Sequence, residues 1–244
     1  MHKMMPDSTQ PQLTPVFAYW TDDDQSPLAQ LKSEWQAEFP HFQVFGDRQI
    51  IPLIERYFPG HIDLFQALRI PTAKSDIARL LLLYEFGGLY VDCHCGIRDA
   101  DEIRRLMSSL EQVELILIDR IQSMKPRRPG EHYVLMTIIF SRPRSDLILL
   151  TCRQAFANLA HYRERVRNHD KGGYNIPTLV GTRLFNETVF QPGTDNRHFR
   201  PGYEGRILIV PEEVGPIERN RNRTYGGPGQ HWSERQKVEP LFEH

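Results

Sequence analysis

The sequence predicts one layered α/β domain with a mostly parallel central sheet flanked by helices. Three observations carry this. Helix-period and strand-period segments alternate through residues 16–165, the order that builds βαβ units. The segments VELILID (113–119) and YVLMTIIFS (133–141) are continuously apolar, as strands covered on both faces are. A chain of 244 residues fills one core well and is short for two domains.

Residues 1–15 are polar with three prolines, which predicts a loose arm before a domain over 16–235 and a tail over 236–244. VFAYW (16–20) is β-prone and ends in Trp20. TDDDQSP makes a turn, and Pro27 opens a helix to Glu38 with Leu28, Leu31 and Trp35 at helical spacing, so Trp35 belongs to the core. HFQVFGD predicts a second strand ending at Gly46-Asp47, and short helices over 49–58 and 61–68 are parted by Pro59-Gly60. TAKSDIARLLLLYEF (72–86) reads as a helix capped by Thr72 or Ser75 and stopped by Gly87-Gly88. LYVDCHC (89–95) reads as an extended run, and DADEIRRLMSSL (99–110) as a helix that Asp99 caps. Beyond the two apolar strands, helices are expected over 146–165 and 176–190, a strand at ILIVP (207–211), and an irregular stretch over 215–244.

Lys and Arg number 30 against 31 Asp and Glu, so no overall field draws the chain to nucleic acid or to an anionic membrane. Any phosphate must be held by a local site. The basic runs ERNRNR (218–223) and KPRRPG (125–130) read as a solvated loop and as a loop bordering a substrate cleft. Three cysteines are too few for a disulfide framework and suit a reducing compartment. No run reaches the ~18 apolar residues of a membrane span, and the N-terminus lacks a secretory h-region. A cytoplasmic location is expected.

The candidate chemistry begins at Asp92 and His94. In an extended run alternate residues point the same way, so these two converge on one ligand while Cys93 points away. A carboxylate and an imidazole suit a borderline ion such as Mn²⁺, whereas Mg²⁺ prefers oxygen alone. The pair alone also fits a turn cap beside a solvent-facing histidine. Asp76 and Arg79, three apart on one helix face, fit equally an ordinary surface pair.

The whole run KSDIARLLLLYEFGGLYVDCH (74–94) resembles the sugar-binding region of DXD-containing glycosyltransferases of the Och1-like mannosyltransferase family (glycosyltransferase family 32), a region shared with the glucosylating domains of large clostridial toxins. The matching features are Ser75-Asp76, Arg79, the apolar run, Gly87-Gly88, Tyr90 and Asp92-x-His94. Weaker likeness extends from Trp20 to the cluster His231-Trp232-Ser233. The resemblance implies a GT-A-like, Rossmann-like domain that transfers a sugar, with retention, from a UDP- or GDP-sugar to a glycan or other hydroxyl acceptor, in polysaccharide or glycoconjugate synthesis.

It also implies roles. Trp20 stacks on the nucleotide base. Asp76 bonds donor sugar hydroxyls or ribose, and Arg79 meets the sugar and diphosphate. Asp92 meets the ribose and the metal, and His94 stands where the family places a metal-binding aspartate. Ser233 and His231 close the metal and diphosphate site. His94 either shifts the metal preference to Mn²⁺ or marks a lost metal site, which leaves a non-catalytic nucleotide-sugar or glycan binder as an alternative. A secreted effector that glycosylates a host protein is another. A zinc site from Cys93, His94 and Cys95 is disfavoured by their spacing.

Overall fold

The computed structural model describes residues 14–120, 128–168, 172–219 and 231–243. The arm before residue 14 and most of the two basic runs lie outside the described residues. β1 (Val16–Tyr19) leads through a 3₁₀ turn into α1 (Ala29–Glu38), β2 (Gln43–Phe45), α2 (Asp47–Tyr57), α3 (Ile62–Gln66) and α4 (Pro71–Phe86). β3 (Gly88–Val91), β4 (Gly96–Ile97), α5 (Ala100–Ser109), β5 (Leu115–Asp119) and β6 (Val134–Ser141) follow. α6 (Asp146–Arg167), α7 (Ile176–Leu179), α8 (Thr182–Val189), β7 (Ile207–Pro211), β8 (Ile217–Glu218) and α9 (Trp232–Val238) complete the order.

Six strands form one sheet in the order β2-β1-β3-β6-β5-β7. The β1–β2, β1–β3 and β5–β7 pairings are parallel, and β6 is antiparallel to both neighbours. Five strands therefore run one way and β6 alone returns. Alternate residues feed two cores. Phe17, Tyr19, Tyr90, Leu115 and Leu117 pack with α2, α4, α6 and α8. Val16, Ala18, Leu89, Val91, Ile116 and Ile118 pack with α1 and α5. Burial on both faces accounts for the unbroken apolar strands. This is the expected mixed α/β architecture with a mostly parallel sheet. The carboxyl ends of five strands and the amino end of β6 share one edge, where sheets of this kind bind ligands.

Several local expectations give way. The α4 helix begins at Pro71 with no side-chain cap, so neither Thr72 nor Ser75 serves; proline at the first helical position needs no donor partner. The expected helix over 176–190 is two, parted at Val180-Gly181. The 215–244 stretch is not irregular: it holds β8 and α9, and Leu241 and Phe242 are buried in the first core. Residues 241–243 pack on the chain rather than trailing from it, since Arg69 N–H donates to Leu241 O at 2.9 Å and Glu243 N–H to Ala67 O at 2.8 Å. Asp99 does cap α5, accepting from Glu102 N–H at 3.0 Å.

The reversal from α4 to β3 requires its glycines. Gly87 has φ 64° and Gly88 φ 88°, and a Cβ on Gly88 would lie 2.1 Å from Pro15 O. That close approach turns the chain straight from the buried helix into the sheet beside β1.

Candidate functional site

Arg79 is the hub. It projects from α4 with only 3% of its surface exposed. Its Nη2 lies 3.0 Å from Asp76 Oδ1 and 3.2 Å from Asp92 Oδ1. Nη1 donates to Met136 O at 2.7 Å, Nε to Ser75 O at 3.2 Å and Nη2 to Ser75 Oγ at 2.9 Å. Tyr90 OH donates to Asp92 Oδ1 at 2.9 Å and lies 3.1 Å from Ser75 Oγ. The guanidinium also sits over the Tyr90 ring, 5.0 Å from its centroid. The tight helix-to-strand turn thus makes Asp76, Arg79 and Asp92 one network. Ser75 and Tyr90 join it; the sequence signals for them are the four-residue step from Ser75 to Arg79 and the two-residue step from Tyr90 to Asp92.

With both carboxylates ionised, one guanidinium faces two of them and the cluster carries net negative charge. Burial pushes the Asp76 carboxyl up to about 7; Arg79 opposes this and Asp92 adds to it. The α7–α8 turn seals the far side of Asp76, where a Cβ on Gly181 would lie 2.8 Å from Asp76 Oδ2.

Asp92 and His94 are not on an extended run. β3 ends at Val91, and residues 92–95 form a turn closed by Cys95 N–H to Asp92 O at 2.9 Å. Alternation along a strand therefore does not relate the two side chains. Cys93 and Cys95 do face the α1–α5 core, away from the face on which Tyr90 and α4 meet. Burial raises both thiols, which disfavours the thiolates that zinc needs. No group of three His, Cys, Asp or Glu side chains able to hold a metal occurs among the described residues.

The donors at this turn are one carboxylate and one imidazole. Asp92 Oδ1 is fixed by Tyr90 and Arg79, while Oδ2 has no hydrogen-bond partner among the described residues. His94 is buried at the same turn, 9% exposed. A set of that kind, completed by phosphate oxygens and water, suits Mn²⁺ better than Mg²⁺, which prefers oxygen ligands.

Trp20 follows β1 on the same edge, half-buried, with Nε1 donating to Asp24 O at 3.1 Å. The aspartates after it are occupied by the turn: Asp22 and Asp24 accept backbone N–H groups, and Asp23 pairs with Arg48. Beside them Lys74 Nζ meets Asp47 Oδ2 at 2.8 Å, and Tyr19 OH donates to Asp47 Oδ1. His231 caps α9: its Nδ1 accepts from Ser233 N–H at 3.3 Å and lies 2.7 Å from Ser233 Oγ. α9 is tied to Ile176 and Arg69. No hydrogen bond or ion pair joins His231 or Ser233 to Asp92 among the described residues. Arg219, expected in a solvated loop, pairs with Glu212 at 2.7 Å.

Residues 20–110 match the model of the family described as glycosyltransferase sugar-binding region containing DXD motif. Asp76, Arg79, Asp92 and His94 all lie within the matched residues. Among solved structures, the chain is similar to one named PaToxG Glycosyltransferase, with TM-score 0.42 and 13% identity over 73% of this chain and 69% of that one. A search of curated proteins finds no match. No helix among the described residues is long and apolar enough to cross a membrane.

Proposed function

We propose that the protein is a glycosyltransferase that moves a sugar from a UDP- or GDP-sugar to a hydroxyl acceptor in polysaccharide or glycoconjugate synthesis. One observation carries the reading: within a sugar-binding region, at the ligand-binding edge of the sheet, a buried arginine is shared by two carboxylates. Such a cluster is electrically unfinished. Asp76 would accept from donor sugar or ribose hydroxyls, and Arg79 would lie toward the diphosphate. Asp92 and His94 would hold a divalent ion, Mn²⁺ ahead of Mg²⁺, which supplies charge neutralisation at the leaving diphosphate. Trp20 would stack on the base. Ser233 and His231 would approach from α9, within a catalytic domain that opens at residue 16 and includes the core residues Leu241 and Phe242. Retention of configuration follows from the family resemblance. All three cysteines are free and buried, which suits a reducing, cytoplasmic setting.

The test is nucleotide release from a panel of UDP- and GDP-sugars with Mn²⁺. Wild type should release nucleotide, and Asp92→Ala should lose at least about 100-fold, the usual cost of removing one group that stabilises developing charge. If no donor turns over and Asp92→Ala leaves donor affinity unchanged, the reading fails. The histidine at 94 favours a second reading, donor binding without turnover. Calorimetry with and without EDTA separates the two, because binding that ignores the chelator, with no release, selects the binder.

A further inference from the structure

A second constellation stands on the same sheet edge and is used by none of the roles above. Asp119 ends β5, and His132 precedes β6 by two residues. His132 Nδ1 lies 2.9 Å from Asp119 Oδ2, and Asp119 Oδ1 accepts Tyr133 N–H at 2.8 Å. Asn196 holds the backbone of His132 on both sides, accepting its N–H at 3.3 Å and donating Nδ2 to its carbonyl at 3.1 Å. The imidazole stacks on Phe190, centroids 6.1 Å apart and 14° from parallel, and Phe190 stacks on Phe199 at 5.5 Å. Even so, 33% of the His132 side chain is exposed.

An ionised carboxylate can only accept, so Nδ1 carries a proton, and in the neutral imidazole Nε2 presents a lone pair. Rotamer, tautomer and backbone are all fixed, and one side of the ring stays wet. A latch between β5 and β6 would need none of this, because the Asp119–Tyr133 bond already makes that latch.

The position relative to Arg79 can be read along β6. Arg79 touches Met136 O, four residues from His132, or about 13 Å at strand rise. α8 spans the same gap. Gly181, just before it, abuts Asp76, while Asn186 Oδ1 accepts Val134 N–H at 2.9 Å and its Nδ2 donates to Val134 O at 2.9 Å. Those two points of the helix are about 7.5 Å apart. His132 is thus too far away to compete for a group bound at Arg79 and stands on the same edge of the sheet.

The geometry points to His132 as the acceptor-side residue: Nε2 accepts the hydrogen bond of the attacking hydroxyl and orients its oxygen, and Asp119 is the positioning residue that fixes the tautomer. This rests on the glycosyltransferase reading and adds the second substrate, a neutral hydroxyl group, to it.

The test uses the full chain with His132→Ala, His132→Gln and Asp119→Asn, and water as the probe acceptor. Donor affinity is measured by calorimetry with UDP- and GDP-sugars and Mn²⁺, and turnover by nucleotide release. Affinity should stay within about twofold in every variant, while release falls about 100-fold in His132→Ala, the scale of a misplaced reactant. His132→Gln, whose Oε1 can accept near the place of Nε2, should recover part of the rate. Asp119→Asn should lose rate because its amide can donate to Nδ1 and reverse the tautomer. Wild-type turnover in His132→Ala overturns the inference and leaves the donor site standing. Lost donor affinity in that variant assigns His132 to the donor and overturns it too. If the alanine variant fails to fold, the glutamine and asparagine variants decide. No donor binding by wild type sinks both readings.

Discussion

On the β3 side of the sheet edge, one guanidinium is shared between Asp76 and Asp92 in a nearly dry setting. On the β5–β6 side, one carboxylate holds one imidazole that remains a third exposed. The first arrangement lacks positive charge and calls for a cation and sugar hydroxyls. The second holds its imidazole in one orientation and keeps a ring nitrogen toward solvent. The difference is one of burial: the arginine cluster is closed in by the helices, while the imidazole still meets solvent. It also sets where stability resides, because an unpartnered charge costs far more when buried than at the surface.

The largest effect should come from removing the hub. Arg79→Ala leaves the buried Asp76 carboxylate, the part-buried Asp92 carboxylate and the Met136 carbonyl without this partner, and should cost about 5 kcal/mol of unfolding free energy in a urea titration. A loss below about 1 kcal/mol would show that the cluster is wetter than its burial indicates, and would erase the contrast. The next effect is a pH dependence. The folded Asp76 carboxyl titrates near 7 against an ordinary 3.8, so between those values the folded state holds a proton that the unfolded chain has released. Stability from this group therefore falls as pH rises through that window and is level outside it. Relative to Asp76→Asn, wild type should lose on the order of 4 kcal/mol between pH 4 and pH 8. A constant difference across that range would contradict the buried, proton-sharing cluster. The smallest effect belongs to the other side. His132→Ala should change stability by about 1 kcal/mol or less, as expected of a partly exposed pair. A cost matching that of Arg79→Ala would make the dyad a structural strut.

Legibility followed sequence distance. The α4–β3 unit could be read because its determinants are consecutive: an i,i+3 pair, an apolar run, two glycines and a strand. The helix start was also written there, in Pro71 rather than in the hydroxyl residues after it. The direction of β6 was not legible, since an apolar run looks the same in a strand running either way. LYVDCHC alternates well enough to pass for a strand, and only the Cys95–Asp92 hydrogen bond shows that it turns. The break at Gly181 depends on room left for Asp76, a residue far away in the chain. Leu241 and Phe242 are too short a run to announce a place in the core. Asp119 and His132 come from either side of a loop, carry no motif, and meet because β6 returns against its neighbours.

The two backbone hydrogen bonds that fasten residues 241–243 to 67–69 have a bearing on biosynthesis. The segment just ahead of the arginine-bearing helix is clasped by residues made long after it. The Asp76–Arg79–Asp92 cluster thus has part of its support from the far end of the described chain. Trimming those few residues should therefore loosen the pocket from behind, without touching any group that meets a substrate.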